Sequence, residues 1–439
     1  MVITTIPETQ RVLILQGGGA LGAYEAGVFE ALYNKLSRGN TKERPLFDII
    51  AGTSAGAINA ALLVSYFRDK KTWEGAAERL TNFWRHSSLD LSEEVDFWIR
   101  WWNEEHNDHH PNAASHEAAR RYYSAKYLLQ NGADGIFPKP NMILDDKFFD
   151  NSPTFPNNIW FRYDKDLLRK EIENFNFPIA TSYDNGEPRL LVVSTNVKDG
   201  STVTFDSYPT KSESGYYRSS TSGGYSKHTA RRSGGVKLAH VMASASLPLF
   251  YKFEEIDGEE FCDGGVLSNT PLREVLQAHR DYWYKDIGGK KSDSKIPDLE
   301  VYIVGVWPSK GGDSSVHQSN FDEVKERLYD INLSDKTVYD EKVAVIVSDY
   351  VDIIKQLTDG APQKKVNSIY DMSAKSRGRD GKPRKYGDLI HGRTKISKVT
   401  RIEFKADSNN SISNKAFDVT KTTIENLIAQ GKRDTKEVL

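Results

Sequence analysis

Gly52-Thr53-Ser54-Ala55-Gly56 is a G-x-S-x-G pentapeptide, and its flanks restrict what the surrounding chain can build. Phe47 to Ala51 reads as a short buried strand, and Ala57 to Phe67 as a helix of small and apolar residues. Strand, tight turn, helix is the context that a nucleophile elbow needs. So sharp a turn strains the serine backbone. The residues two before and two after it must be tiny, or strand and helix collide. Gly52 and Gly56 meet that need. Ser54 Oγ would then stand at the carboxyl end of the strand with a helix N-terminus beneath it. A bare G-x-S-x-G occurs by chance in many proteins, so the flanks carry the reading.

One earlier stretch has the same grammar. Arg11 to Gln16 is apolar through its middle, which predicts a strand buried on both faces. Gly17-Gly18-Gly19-Ala20-Leu21-Gly22 follows at once. A helix is predicted from Leu21 to Leu36, with Leu21, Tyr24, Val28, Leu32 and Leu36 on one stripe. The glycines also match the dinucleotide fingerprint, which requires an acid at the end of the second strand to hold a ribose. Here that strand ends in Gly52-Thr53-Ser54, and its only acid, Asp48, sits near its start. The better reading is a row of backbone N–H groups left open by the glycines, a nest for a negative oxygen.

The chain has 439 residues, 38% hydrophobic and 27% charged, enough for a large core. A net charge of −2 gives no overall field to recruit nucleic acid or an anionic membrane. One cysteine, Cys262, permits no intrachain disulfide, which fits a reducing compartment. Met1 to Gln10 shows no signal pattern and no apolar run reaches a membrane span, so the expectation is a soluble, cytoplasmic protein that can visit a membrane surface.

Residues 68–177 differ in character. Helical stretches at Thr72–His86 and Leu91–Glu105 precede a His- and Asn-rich patch and irregular sequence. Six of the eight tryptophans lie here, which predicts an aromatic cap inserted over the sheet. His106, Asp108, His109, His110 and His116 match no ordinary ligand spacing, so a solvated loop without metal is expected. Asn185-Gly186, between Pro178–Tyr183 and Pro188–Thr195, predicts a hairpin. Ser201–Tyr208 predicts a strand, and the aperiodic residues 210–235 a mobile loop. Val236–Ser246 reads as a helix, Leu247–Phe253 and Glu260–Cys262 as strands joined at Asp257-Gly258. Asn269-Thr270-Pro271-Leu272 opens another helix. Asp298–Trp307 reads as a buried strand, Lys336–Thr358 as helical, Lys398–Lys405 as a last strand and Phe417–Lys432 as a last helix.

A serine hydroxyl needs a base, usually a histidine held by a carboxylate. His86 and the cap histidines fall at a helix end or in loop sequence, and His228 in the mobile loop. His240 and His279 lie within helices, and His317 and His391 in polar stretches without a rigid frame. Asp263 has a better context. It ends a strand and is followed by Gly264-Gly265, so it sits in a tight turn of the kind where open α/β sheets place their sites. Asp-Gly-Gly is also an ordinary turn, and the residues alone leave both readings open. The usual α/β-hydrolase order is excluded, because that fold places several strands and its oxyanion loop before the serine. Only 53 residues precede Ser54 here.

Gly17-Gly18-Gly19-Ala20-Leu21-Gly22, Gly52-Thr53-Ser54-Ala55-Gly56, Ala243-Ser244-Ala245-Ser246-Leu247-Pro248 and Asp263-Gly264-Gly265 stand in the order and approximate spacing of the patatin-like phospholipases. The chain resembles that family over residues 10–310. The resemblance implies a three-layer α/β fold with a central, mostly parallel sheet flanked by helices. It implies a Ser–Asp dyad without histidine, hydrolysis of acyl esters in phospholipids and other lipids, and no metal or cofactor. Carried over, Ser54 is the nucleophile, Asp263 the general base, and Gly17, Gly18, Gly19 and Gly22 the oxyanion loop. Gly52, Gly56, Gly264 and Gly265 are the elbow and turn glycines. Leu21 departs from the pattern, since many relatives carry a basic residue there. The domain reading is a catalytic domain at 10–310, containing the cap (68–177) and the loop (210–235). A C-terminal α+β extension, 311–439, packs on it.

Three functions fit these residues. The first is a lipid acyl hydrolase. The second is a transacylase that resolves the acyl-enzyme with an alcohol or lysolipid. The third is a lipid- or nucleotide-binding protein that uses the glycine loop without chemistry, against which an intact Ser54 and Asp263 count. The expected partner is a lipid or acyl ester, with no nucleic acid and no oligomeric state assigned. As a helix, Leu91–Glu105 aligns Val95, Trp98, Ile99 and Trp102, widened by Phe97 and Trp101, and tryptophan favours membrane interfaces. Lys364–Lys395 holds ten basic and three acidic residues, which would add attraction to anionic lipid. The plainer alternative is a stripe packed on the sheet and a solvated basic loop.

Overall fold

Val12 and Ile14 alternate with Leu13 and Leu15, and that alternation puts the first strand in the middle of a layered fold. In the computed structural model, Leu13 and Leu15 join one apolar core and Val12 and Ile14 another, on opposite faces of the sheet. The structure describes residues 6–37, 45–90, 163–209, 234–288, 295–307, 321–377, 383–405 and 415–439, with short pieces between 93 and 138 and at 229–231. The cap residues Val95, Trp98, Ile99, Trp101 and Trp102, the histidine-rich patch and residues 210–228 lie outside the described residues.

The central sheet has nine strands among the described residues. They are β1 (Thr9–Leu15), β2 (Ile49–Thr53), β3 (Arg189–Asn196), β4 (Ser201–Asp206) and β5 (Thr229–Arg231). β6 (Glu254–Ile256), β7 (Glu259–Asp263), β8 (Asp298–Gly305) and β9 (Ile396–Glu403) follow. Their order is β9-β8-β1-β2-β3-β4-β5, with β7 joined to β3 and β6. The five strands from β9 to β3 run parallel. β4 and β7 pair antiparallel to β3. This is a mixed, mostly parallel α/β sheet with helices on both faces.

Helices α1 (Gly22–Leu36), α2 (Ala55–Lys70) and α3 (Ala76–His86) cover one face. α4 (Asp166–Glu173) and α5 (Leu238–Ser244) pack at the end of that layer. α6 (Leu272–Arg280) covers the opposite face with Leu272, Val275 and Ala278. Beyond residue 310 come α7 (Phe321–Leu333), α8 (Thr337–Thr358), α9 (Gln363–Tyr370), strand β9 and α10 (Lys421–Val438). This part of the chain supplies an edge strand to the sheet and a helix to the first layer. α10 meets α1 backbone to backbone. A Cβ on Gly27 would lie 2.0 Å from Ile428 O, and one on Gly431 2.2 Å from Tyr24 O. The Tyr24 hydroxyl donates to Asp434 across the crossing at 3.0 Å.

Two local expectations fail. The hairpin before Thr195 does not form. Tyr183–Asn185 is a 3-10 turn closed by Gly186 at φ 66°, and β3 pairs in parallel with β2. Pro178–Tyr183 is engaged elsewhere, with Ile179 bridging Val236 and the Thr181 N–H reaching Ser207 O. An all-buried strand such as β3 gains most in the interior of a parallel sheet. The hairpin lies one turn later, where Gly200 at φ 63° joins β3 to β4. Leu247–Phe253 is not a strand either. Leu249 has φ 72° and is exposed, so the chain turns there.

Candidate active site

Ser54 follows β2 and caps α2 with φ 55° and ψ −125°, a region that residues other than glycine avoid. The contacts around it explain why the turn is this tight. A Cβ on Gly52 would lie 2.1 Å from Gly56 O, on the helix side. One on Gly56 would lie 2.3 Å from Leu15 O, on the neighbouring strand. The strain is held in place from outside. Ser244, in α5, accepts the Ser54 N–H at 2.9 Å and donates its own hydroxyl to Val193 O at 2.5 Å.

Register brings Asp263 to the same level. Thr53 pairs with Val193 on β3, and Ser194, one residue on, pairs with Asp263 along the same edge of β3, where β7 takes over as β2 ends. Gly264 lets the turn close over this junction, since a Cβ there would sit 2.3 Å from Val193 O. The Asp263 carboxyl is buried. Oδ1 accepts the Gly265 N–H at 2.7 Å, while Oδ2 has no hydrogen-bond partner of ordinary geometry. Burial pushes its pKa up from 3.8 to about 6, partly offset by hydrogen bonding to the Ser54 hydroxyl and to the Gly265 amide. A carboxylate of this kind is a stronger base than a solvated one.

The glycine loop is fixed from three sides. Gly17 O accepts bonds from Asn269 Nδ2 at 3.0 Å and Trp307 Nε1 at 2.7 Å. Across the planar trans peptide, the Gly18 N–H points away from both. Gln16 accepts the N–H groups of Val306 and Trp307 and donates to Thr270. A Cβ on Gly17 would lie 2.9 Å from Ser54 Cβ, so loop and elbow are in contact. Two of the four loop glycines have committed N–H groups, Gly17 to Asn269 O and Gly22 to Gly19 O. Those of Gly18, Gly19 and Ala55 meet no acceptor among the described residues. Gly22 is needed for packing, because a Cβ there would lie 2.3 Å from the Trp84 ring.

Residues 13–276, more than half of the sequence, match the family model of the patatin-like phospholipases. The chain belongs to that family. Phospholipase-type ester hydrolysis is therefore its general class of activity. No curated protein matches the sequence. Among solved structures it is similar to VipD from Legionella pneumophila, at 13% identity and a TM-score of 0.29, over 99% of this chain and 68% of that one. It is also similar to ExoU in the ExoU-SpcU complex of Pseudomonas aeruginosa, at 17% identity and a TM-score of 0.25, over 73% and 46%. A second ExoU structure matches at 12% identity and a TM-score of 0.28, over 98% and 53%. The chain thus spans about half the length of ExoU.

In this patatin-like chain each described histidine is engaged away from Ser54. His86 lies 3.7 Å from Glu171, and His240 accepts the Lys237 N–H and stacks on Phe205. His279 meets Pro297 O, with burial pulling its pKa down to about 3. His391 lies against Tyr370. Several residues that shape the site carry no motif. Asn269, Gln16 and Trp307 are among them, and so is Asn59, whereas Ser244 falls in the Ala243–Pro248 motif without any sign there of its contact with Ser54. Asn59 donates to Gly22 O and to the buried Glu25, and accepts from Trp84 Nε1, which ties α1 to α2. Burial raises the Glu25 pKa well above the usual carboxyl range. Lys165 braces the far side. Its ammonium bonds Ser246 Oγ, Lys252 O and Glu254, and Ser246 O in turn accepts the Asp263 N–H. The available signal was polarity alone, since a buried polar residue closing an apolar strand, as Gln16 does, must have partners.

Proposed function

We propose that this chain is a serine-dependent lipid acyl hydrolase with a Ser54–Asp263 dyad. The observation that carries this is the register that sets the buried Asp263 carboxyl beside the elbow, with the Ser54 hydroxyl among the groups that bond it. Ser54 Oγ attacks the acyl carbonyl while its proton passes to Asp263. The new oxyanion is held by N–H groups of the Gly17–Gly19 loop, with Gly18 and Gly19 the free donors, and by Ala55 at the start of α2. The intermediate collapses, the C–O bond to the leaving alcohol breaks, and that alkoxide takes the proton from Asp263. Water then attacks the acyl-serine with Asp263 again as base, releasing the carboxylic acid and restoring Ser54. Gly52, Gly56, Gly264 and Gly265 serve by letting backbones approach. Residues 10–310 are the catalytic body and 311–439 its extension, acting on lipid esters at a membrane surface from the cytoplasmic phase.

A fluorophosphonate probe tests the reading directly. It should label the wild type at Ser54 and leave Ser54→Ala unlabelled. Label on any other residue, with ester hydrolysis intact in Ser54→Ala, would end this assignment.

A further inference from the structure

α8 is built inside out. Its body-facing side buries Thr337, Ser348 and Val351 and is pinned by arginines. Arg273 bonds Asp340, Arg401 bonds Glu341, and Arg393 bonds both the Ser348 carbonyl and Asp352. The opposite side carries Tyr339, Val343, Ile346, Tyr350, Ile353 and Leu357, spaced 4-3-4-3-4. At 3.6 residues per turn these six fall within about 40° of one line, along about 27 Å of helix. Tyr339 is 74% and Leu357 77% exposed, and the other four between 39% and 63%. α7 repeats the arrangement with exposed Val324, Leu328 and Ile331. A helix of a soluble domain normally turns such a stripe inward. Here the ion pairs prevent it.

Two observations identify what covers this face. The first is continuity with the site. Leu333, the last residue of α7, offers its carbonyl to both Gln16 and Asn269, the residues that fix the glycine loop. Exposed Val266 and Leu267 come just after the Asp263-Gly264-Gly265 turn. The second is charge. Between residues 335 and 365 the acids Asp335, Asp340, Glu341 and Asp352 are paired with body arginines. That leaves five exposed lysines, Lys336, Lys342, Lys355, Lys364 and Lys365, against two exposed acids, Asp349 and Asp359, a surplus of three positive charges. Of these, Lys336 and Lys342 fall about 60° to either side of the apolar line, and an exposed apolar row flanked by lysine suits an anionic lipid surface better than a neutral protein groove.

We propose that the outward face of α8, with that of α7, seats the protein on anionic lipid aggregates and brings the Ser54 mouth to the substrate. This rests on the hydrolase reading above. Docking is measured without chemistry, using full-length Ser54→Ala protein and vesicles of phosphatidylcholine with or without phosphatidylserine. Ile346→Ser with Ile353→Ser should lower binding to the mixed vesicles at least tenfold. Lys336→Glu with Lys342→Glu should weaken binding to the mixed vesicles and leave the weaker binding to pure phosphatidylcholine unchanged. With Ser54 intact, both double variants should hydrolyse a soluble short-chain ester within twofold of wild type. Unchanged vesicle binding in the isoleucine variant overturns the proposal. So does a wild-type dimer that this variant converts to monomer without loss of vesicle binding, which would make the face a protein interface. An equal fall in soluble-ester turnover overturns it too. A wild type that binds vesicles through α8 yet cleaves no ester would refute the dyad and leave the docking face standing.

Discussion

Around Ser54, apolar side chains turn inward and backbone contacts are so close that only glycine fits. Along α8 the apolar side chains turn outward and charged side chains do the anchoring. The first arrangement fixes one geometry, because a Cβ at Gly52 or Gly56 would overlap backbone that cannot move. The second fixes only the rotation of a helix and leaves its surface free to change. Chemistry needs atoms held within a fraction of an ångström, whereas adhesion to a fluid surface needs area and charge. Substitutions in the two regions should therefore differ in kind.

The largest effect is expected at the elbow. Ser54→Ala should reduce ester hydrolysis by about a million-fold, the loss known for nucleophiles of other serine hydrolases. Ser54→Gly should be equally inactive but more stable, by about 1 kcal/mol or more, because it relieves the positive φ. Matched thermal melts that show no such gain would mean that the turn is unstrained.

Asp263→Asn should be nearly as inactive, with an opposite effect on stability. The folded pKa of about 6 lies above the ordinary 3.8. A group raised in this way favours folding fully only below its unfolded pKa, and the benefit is lost as pH rises through about 6. At pH 7 the charged form is a burden that the amide removes, which should stabilise the variant by on the order of 3 kcal/mol. Near pH 3 the gain should vanish. Urea melts at the two pH values read the difference. In the wild type, kcat/KM should rise with pH through about 6, as a base must lose its proton to act.

Gly19→Ala sharpens the contrast. Gly19 has φ +55°, and its Cβ would lie 2.5 Å from Ala416 O. We expect kcat to fall about a hundred- to a thousand-fold, the scale of losing one oxyanion donor, with KM little changed. At the other end of the scale, Val343→Ser on α8 should shift the unfolding free energy by no more than about 0.5 kcal/mol. A loss of several kcal/mol there would show that α8 behaves like the core and would erase the comparison.

The elbow and the glycine loop were legible in the sequence because steric exclusion acts between near neighbours and leaves glycines at fixed spacing. At Asp263 the turn was legible, while its place in a site was suggested only by the four motifs taken together. The hydrogen bonds that lock these pieces were not. Ser244, Asn269 and Trp307 reach Ser54 or Gly17 from 190 to 290 residues away, and no local pattern announces a partner at that distance. Asn185-Gly186 gave a real turn but the wrong strand pairing, because register in a buried sheet is decided by the whole layer. The helical spacing over Lys336–Thr358 marked α8 but not its facing. Periodicity shows that a stripe exists, and only the arginines of the body, from α6 to β9, show which way it points.

The glycine crossing of α1 and α10 has a consequence in time. Gly27 and Gly431 touch each other's helices, and Ala416 closes against Gly19. The loop that follows the first strand is therefore completed by residues some four hundred positions later. A nascent chain emerging N-terminus first can form β1, the elbow and the Asp263 turn and still have an open seam beside its glycine loop. Synthesis of α10 would close that seam, so the order of translation sets when the glycine loop can take its final shape.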